Sequence, residues 1–180
     1  MVPPGLLGEG RLLRVAPRNS YTPSIMNEIS YITGGMELLD VVAPLWEELN
    51  RHHRTVSEHF ADAFAAFTFE VRRQPLVEKA AQGRLRVDLA KCGDGSDARY
   101  CGYCVSSIDT AGVGEVDSIY VCPEHRGQGV GDGLMRRALG WMDAEQVKSK
   151  TIVVVWGNEQ VLPFYQRYGF YPRAISLRQR

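Results

Sequence analysis

The order in which hydrophobic periods change along the chain predicts an α/β (α+β) fold, one mixed sheet with helices packed on it. Three observations carry this. Strand-like stretches alternate with stretches of helical period in the order β-α-α-β-β-β-α-β-α-β. Polar segments rich in Gly and Asp separate the strand-like stretches. At 180 residues, 44% hydrophobic and 23% charged, the chain suits one domain with a substantial core.

Residues 29–33 (Ile-Ser-Tyr-Ile-Thr) read as the first strand, ended by Gly34 and Gly35. Leu38, Leu39, Val42, Leu45, Trp46 and Leu49 then recur at spacings of three and four, the period of a helix. Pro44 interrupts that pattern and predicts a kink or a new helix start. A second helical stretch carries Phe60, Phe64 and Phe67 and is expected to stop before Pro75. Residues 85–90 alternate as a strand, and the polar segment 92–98 turns into a second strand over 99–107. A further turn at 109–114 leads into strand 115–121.

After Pro123 the period becomes helical again over 129–144, where Leu134, Ala138, Leu139 and Met142 share a face. The continuous apolar run 151–156 is expected of a strand covered on both faces. A short helix with Pro163 in its first turn ends at Gly169, and residues 171–179 supply a last strand.

Lys and Arg number 21, as do Asp and Glu, so no global charge draws the chain to nucleic acid or anionic membrane. No apolar run approaches a membrane span, and no secretory signal core is legible, so a cytoplasmic location is expected. Residues 1–25 are rich in Pro, Gly and Arg without a period and read as a flexible tail. The cysteines are Cys92, Cys101, Cys104 and Cys122. Cys101 and Cys104 share a CxxC spacing, but on a strand residues three apart face opposite sides. Zinc would need two more ligands, and no second such pair exists, so small reduced core cysteines and no metal are expected.

The chemistry-bearing segment is Arg126-Gly127-Gln128-Gly129-Val130-Gly131, which joins a strand to a helix. Its glycines permit tight turns and bare amides, and amides at a helix N-terminus converge on an anion such as a pyrophosphate. A P-loop would need Gly-Lys-Ser/Thr, which is absent. The dinucleotide pattern GxGxxG fails in both registers, because Asp132 or Leu134 stands at the third glycine.

The remaining pattern, Arg126-x-x-Gly129-x-Gly131 preceded by Val-x-Pro, resembles the coenzyme A loop of the GNAT superfamily of N-acetyltransferases. Residues 158–170, with Asn158 and then Phe164-Tyr165-x-x-x-Gly169-Phe170, resemble the second signature of that family. The likeness spans about residues 29–177, so 26–180 is expected to form the N-acetyltransferase domain. It implies a mostly antiparallel sheet whose central strands splay apart. It also implies acetyl-CoA as donor co-substrate and, as acceptor, an amine of a small molecule or peptide. Dimers are common in the family, so a homodimer is compatible with it.

Residue by residue, the resemblance puts Ile119, Tyr120 and Val121 beside the pantetheine arm, with Val121 N–H as oxyanion donor. The amides of 126–131 would hold the pyrophosphate, and Arg126 either adds a phosphate contact or is simply solvated. Asn158 either contacts pantetheine or caps the next helix. Tyr165 corresponds to the tyrosine that protonates the leaving sulfur, and its ordinary pKa near 10 keeps it protonated at neutral pH. Glu115 stands where some members carry a base, and Asp117, on the same strand face, could substitute. His52 and His53 lie where the family recognises acceptors, or form part of a solvated helical face. Asp132 is expected to point outward. A non-catalytic acyl-CoA-binding sensory module is the alternative to an enzyme.

Overall fold

The computed structural model describes residues 29–93, 95 and 98–179; the tail assigned to 1–25 lies outside them, as does part of the 92–98 turn. Strands β1 (Ile29–Gly34), β2 (Arg84–Cys92), β3 (Arg99–Ile108), β4 (Val113–Val121) and β5 (Ser149–Ile152) form one sheet in the order β1-β2-β3-β4-β5. The first three pairings are antiparallel and β4–β5 is parallel. Helices α1 (Leu39–Val56), α2 (Ala61–Ala66) and α3 (Phe69–Gln82) lie between β1 and β2 in the chain. Helix α4 (Val130–Ala144) follows β4, and α5 (Leu162–Gln166) follows β5. The mixed, mostly antiparallel α+β architecture is therefore as expected.

Both sheet faces are covered. On one face, Cys104, Ile108 and Val116 pack with Leu134, Met135, Ala138 and Met142 of α4. On the other, Val87, Leu89, Tyr103 and Val105 pack with Leu39, Val42 and Trp46 of α1 and Leu76 of α3. Leu134 is fully buried, so its truncation to Ala would cost about 2–5 kcal/mol. No helix among the described residues is long and apolar enough to cross a membrane.

Several elements differ from the sequence-based expectation. Pro44 starts no new helix: α1 runs from Leu39 to Val56 with Pro44 inside it. The proline removes a single ladder bond in the second turn, and burial of Leu39, Val42, Leu45 and Trp46 holds the helix together around it. Likewise α3 does not stop before Pro75. The break falls at Phe67–Thr68, where Thr68 Oγ1 accepts from Val71 N–H at 3.5 Å as an N-cap. Buried Asn50 stabilises that break by donating to the carbonyls of Phe64 and Phe67, each at 2.8 Å.

The apolar run 151–156 is not a doubly covered strand. β5 ends at Ile152, and Val153 and Trp156 are exposed. Pairing with β4 extends only from Val113–Ser149 to Val116–Ile152, after which the two chains separate. The expected last strand at 171–179 does not form, and Tyr171, Ile175 and Leu177 are exposed. Its alternating pattern lacks a paired neighbour among the described residues, and a strand persists only through its ladder.

The cysteines also depart from expectation. Cys92 and Cys101 form a disulfide, while Cys104 and Cys122 are free. The β2–β3 register steps from Ala90↔Gly102 to Lys91↔Tyr100, leaving Cys101 as an extra, bulged residue. A bulge breaks the period-two alternation. Cys101 consequently packs in the same layer as Cys104, on the α4 side of the sheet, rather than opposite it.

Candidate functional site

Where β4 and β5 part, a cleft of about 620 Å³ opens between the 126–131 loop, residues 152–155, α5 and the C-terminal half of α1. The loop wall is made of backbone. Gly127 and Gly129 take positive φ values of 74° and 84°, which L side chains rarely adopt. A Cβ at either would meet no atom within 4 Å, so the glycines leave the amides bare toward open space. Gly129 is the N-cap of α4, whose dipole favours an anion there. Gln128 Nε2 donates to Glu124 C=O at 2.8 Å and shapes the loop, while buried Val130 anchors its end.

Arg126 folds back on the strand: its Nε donates to Val121 C=O at 3.0 Å, and the guanidinium lies 5.8 Å from the Tyr120 ring centre. Asp132 does not point freely outward. Its carboxylate accepts from Tyr168 Oη and sits 3.3 Å from Arg167 Nη2. Arg167 therefore brings positive charge to the cleft rim.

Ile119, Tyr120 and Val121 line the cleft opposite Val153, Val154 and Val155. Tyr165 is buried at the base of this wedge, where burial pushes its hydroxyl pKa further up and keeps it protonated. Asn158 caps no helix with its side chain. Its Oδ1 instead meets His52 Nε2 at 3.1 Å, linking α1 to the segment after β5. The two walls touch there: a Cβ on Gly157 would come within 2.1 Å of Val56 C=O. His53 also lines the cleft, and burial, reinforced by neighbouring His52, lowers its pKa from 6.5 to about 4.

Further back along β4 the cleft is lined by a charged residue, Asp117. The β3–β4 register steps from Val105↔Ser118 to Ser106↔Val116, so Asp117 is itself a bulged residue. Its side chain is fully buried. Oδ1 contacts Lys79 Nζ at 2.5 Å and Arg72 Nη2 at 3.5 Å, while Oδ2 has no hydrogen-bond partner among the described residues. Burial raises the Asp117 pKa, and the hydrogen bond from Lys79 holds that rise back. For Lys79, burial works against the ammonium, but hydrogen bonds to Asp117 and Glu115 outweigh it and raise its pKa.

Glu115 shares Lys79 Nζ at 2.5 Å, yet it lines a separate cavity of about 150 Å³ beside Ser107 and Val113. Asp117 alone of the two carboxylates lines the cleft. Lys79, Arg72 and Arg167 carry no signal in the sequence, because their partners lie elsewhere in the chain. Ser118, whose buried Oγ lacks a partner among the described residues, adjoins Asp117 and is legible in principle.

Fold and cleft together define an α+β protein in which a loop of bare glycine amides and two buried side chains, Asp117 and Tyr165, line one cleft. The acetyltransferase (GNAT) family model matches residues 50–170. The chain is 30% identical over 74 residues to the uncharacterized N-acetyltransferase MJ1207 of Methanocaldococcus jannaschii, a match covering 39% of this chain and 31% of that protein's length. A GCN5-related N-acetyltransferase from Ralstonia eutropha has the same fold, with TM-score 0.65 and 18% identity over 84% of this chain and 98% of that one. The aminoglycoside N-acetyltransferase AAC(6')-Iy in complex with CoA aligns with TM-score 0.59 and 17% identity over 86% and 96%. A ribosomal-protein-alanine N-acetyltransferase from Brucella melitensis aligns with TM-score 0.56 and 14% identity over 85% and 99%. The chain belongs to the acetyltransferase (GNAT) family.

Proposed function

We propose that the chain transfers an acetyl group from acetyl-CoA to a primary amine of a small molecule or peptide by direct attack. Asp117 serves as base and Tyr165 as acid. The observation that carries this reading is the parting of β4 from residues 153–155 to open a cleft lined by the bare-amide loop, Tyr165 and Asp117. Family membership and the CoA bound in the aminoglycoside relative support the choice of donor.

In this reading, the amides of Arg126 to Gly131 and the α4 N-terminus hold the pyrophosphate, with Arg167 at the rim. Backbone groups of Ile119, Tyr120 and Val121, freed from pairing with β5, receive the pantetheine arm together with Asn158. Asp117 Oδ2 accepts a proton from the incoming ammonium, directly or through water. As the amine nitrogen bonds to the thioester carbonyl carbon, Val121 N–H steadies the developing oxyanion. Tyr165 gives its proton to the departing sulfur as the C–S bond breaks, leaving an amide and coenzyme A. Glu115 acts through Lys79 as a positioning residue.

The relatives act on acceptors as different as an aminoglycoside and a ribosomal protein, so the acceptor is sought by a screen of amino acids, polyamines, aminoglycosides and peptide N-termini. Acetyl-CoA should raise Tm through binding linkage. Absence of any shift at millimolar donor overturns the donor site. A shift with no amine acetylated favours a sensory acyl-CoA-binding module instead.

A further inference from the structure

Cys92 ends β2, Cys101 is the bulged residue of β3, and His125 closes the short turn Pro123–His125 after β4. Both sulfurs and one ring nitrogen of His125 lie within 4.8 Å of one another. The two cysteines are buried, and His125 Nδ1 is buried with no hydrogen-bond partner among the described residues. Leaving such an atom unpaired is unfavourable, and a ligand there would relieve it. Two sulfurs and an imidazole are the donor set of a borderline-soft divalent cation, zinc above all.

We propose that Cys92, Cys101 and His125 bind a thiophilic divalent cation of the zinc type when the Cys92–Cys101 disulfide is reduced. Disulfide and metal-bound forms exclude one another, since each uses both sulfurs. A dithiol reductant supplies two electrons and two protons to the S–S bond and leaves as its own disulfide. The two resulting thiols then release their protons to solvent as two S–metal bonds form. Neutral His125 gives the third bond and water the fourth. Tetrahedral zinc holds its sulfurs about 3.8 Å apart, a separation that Cα atoms 5.8 Å apart accommodate by side-chain rotation.

The site also touches the donor loop. Cys122 N–H donates to Cys101 C=O and His125 N–H to Cys122 C=O, both at 2.9 Å, and His125 directly precedes Arg126. A metal there fastens the β2–β3 hairpin to the stem of the 126–131 loop. This differs from the metal-free expectation because the ligands come from two strands and a turn, not from the Cys101–Cys104 spacing.

The full chain, reduced with dithiothreitol and desalted anaerobically, is titrated with zinc against a chromophoric chelator. Cobalt(II) is used in parallel for its thiolate charge-transfer band. Reduced wild type should take up about one zinc per chain, and the oxidised protein none at this site. Cys92→Ser and Cys101→Ser should abolish uptake, whereas Cys104→Ser and Cys122→Ser should retain it. Loss of even an outer-shell partner weakens metal sites about 10–100-fold, so His125→Ala should do at least that. Reduced wild type that is folded by circular dichroism yet binds no zinc overturns the proposal. Unchanged affinity in His125→Ala does so too. The titration requires no donor, so its failure leaves the acyl-transfer reading untouched.

Discussion

In the mechanism proposed above, the loop side of the cleft receives the donor and the carboxylate side the acceptor, and the two are built on opposite principles. The loop side offers backbone: Gly127 and Gly129 withhold side chains, and buried Val130 pins the bare amides at the start of α4. The carboxylate side offers buried charge: Asp117 on a bulge, balanced behind it by Lys79 and Arg72 from α3, with Lys79 shared by Glu115. A backbone-built site is specified by consecutive residues. A charge-built site is assembled from groups 36 to 45 positions apart in the chain.

If the walls divide labour in this way, variants should separate chemistry from donor binding. Asp117→Asn should have the largest effect, lowering turnover about 10³-fold, with Tyr165→Phe costing about 10²-fold. Donor affinity by calorimetry should stay near wild type in both, and a parallel loss of donor affinity would dissolve the distinction. Gly129→Ala should do the reverse. A non-glycine residue at φ 84° costs about 1–2 kcal/mol, so acetyl-CoA should bind roughly 5–30-fold more weakly while turnover at saturating donor is largely kept.

A smaller effect tests the charge balance. Hydrogen bonding from Lys79 holds the Asp117 pKa down against burial, so Lys79→Met should move the acid limb of the kcat/KM profile to higher pH. A limb that stays in place would assign the proton to another group. The smallest effect concerns stability. His53 titrates at about 4 when folded against 6.5 in the free side chain, so the unfolded chain binds more protons between those values. Stability contributed by neutral His53 is therefore present above pH 6.5 and lost as pH falls toward 4. Replacing His53 with Phe should flatten the decline of Tm across that window, as read by calorimetry.

The same contrast explains which parts of the molecule are legible in the sequence. Glycines at 127, 129 and 131 and the Phe164–Tyr165 pair carry their meaning in local spacing, so the donor side can be read from consecutive residues alone. Asp117 is legible as an acid but not as the one facing the cleft, because that follows from a bulge in the β3–β4 register. Cys101 illustrates the same limit, since an extra residue in β3 turns it to the layer of Cys104 and toward Cys92. Pro44 and Pro75 mislead because tertiary burial outweighs local helix-breaking. The pattern at 171–179 misleads because alternation predicts a strand without supplying its neighbour.

The paired amide hydrogen bonds from Asn50 join α1 to the carbonyls of Phe64 and Phe67 at the gap before α3. Helices tied at such a point do not fray one by one. In hydrogen exchange, the amides from Asn50 to Thr68 are expected to open in one cooperative event. The α1 side of the cleft, lined by Leu49, His52 and His53, then behaves as a hinged panel: a ligand that displaces any part of it displaces the whole.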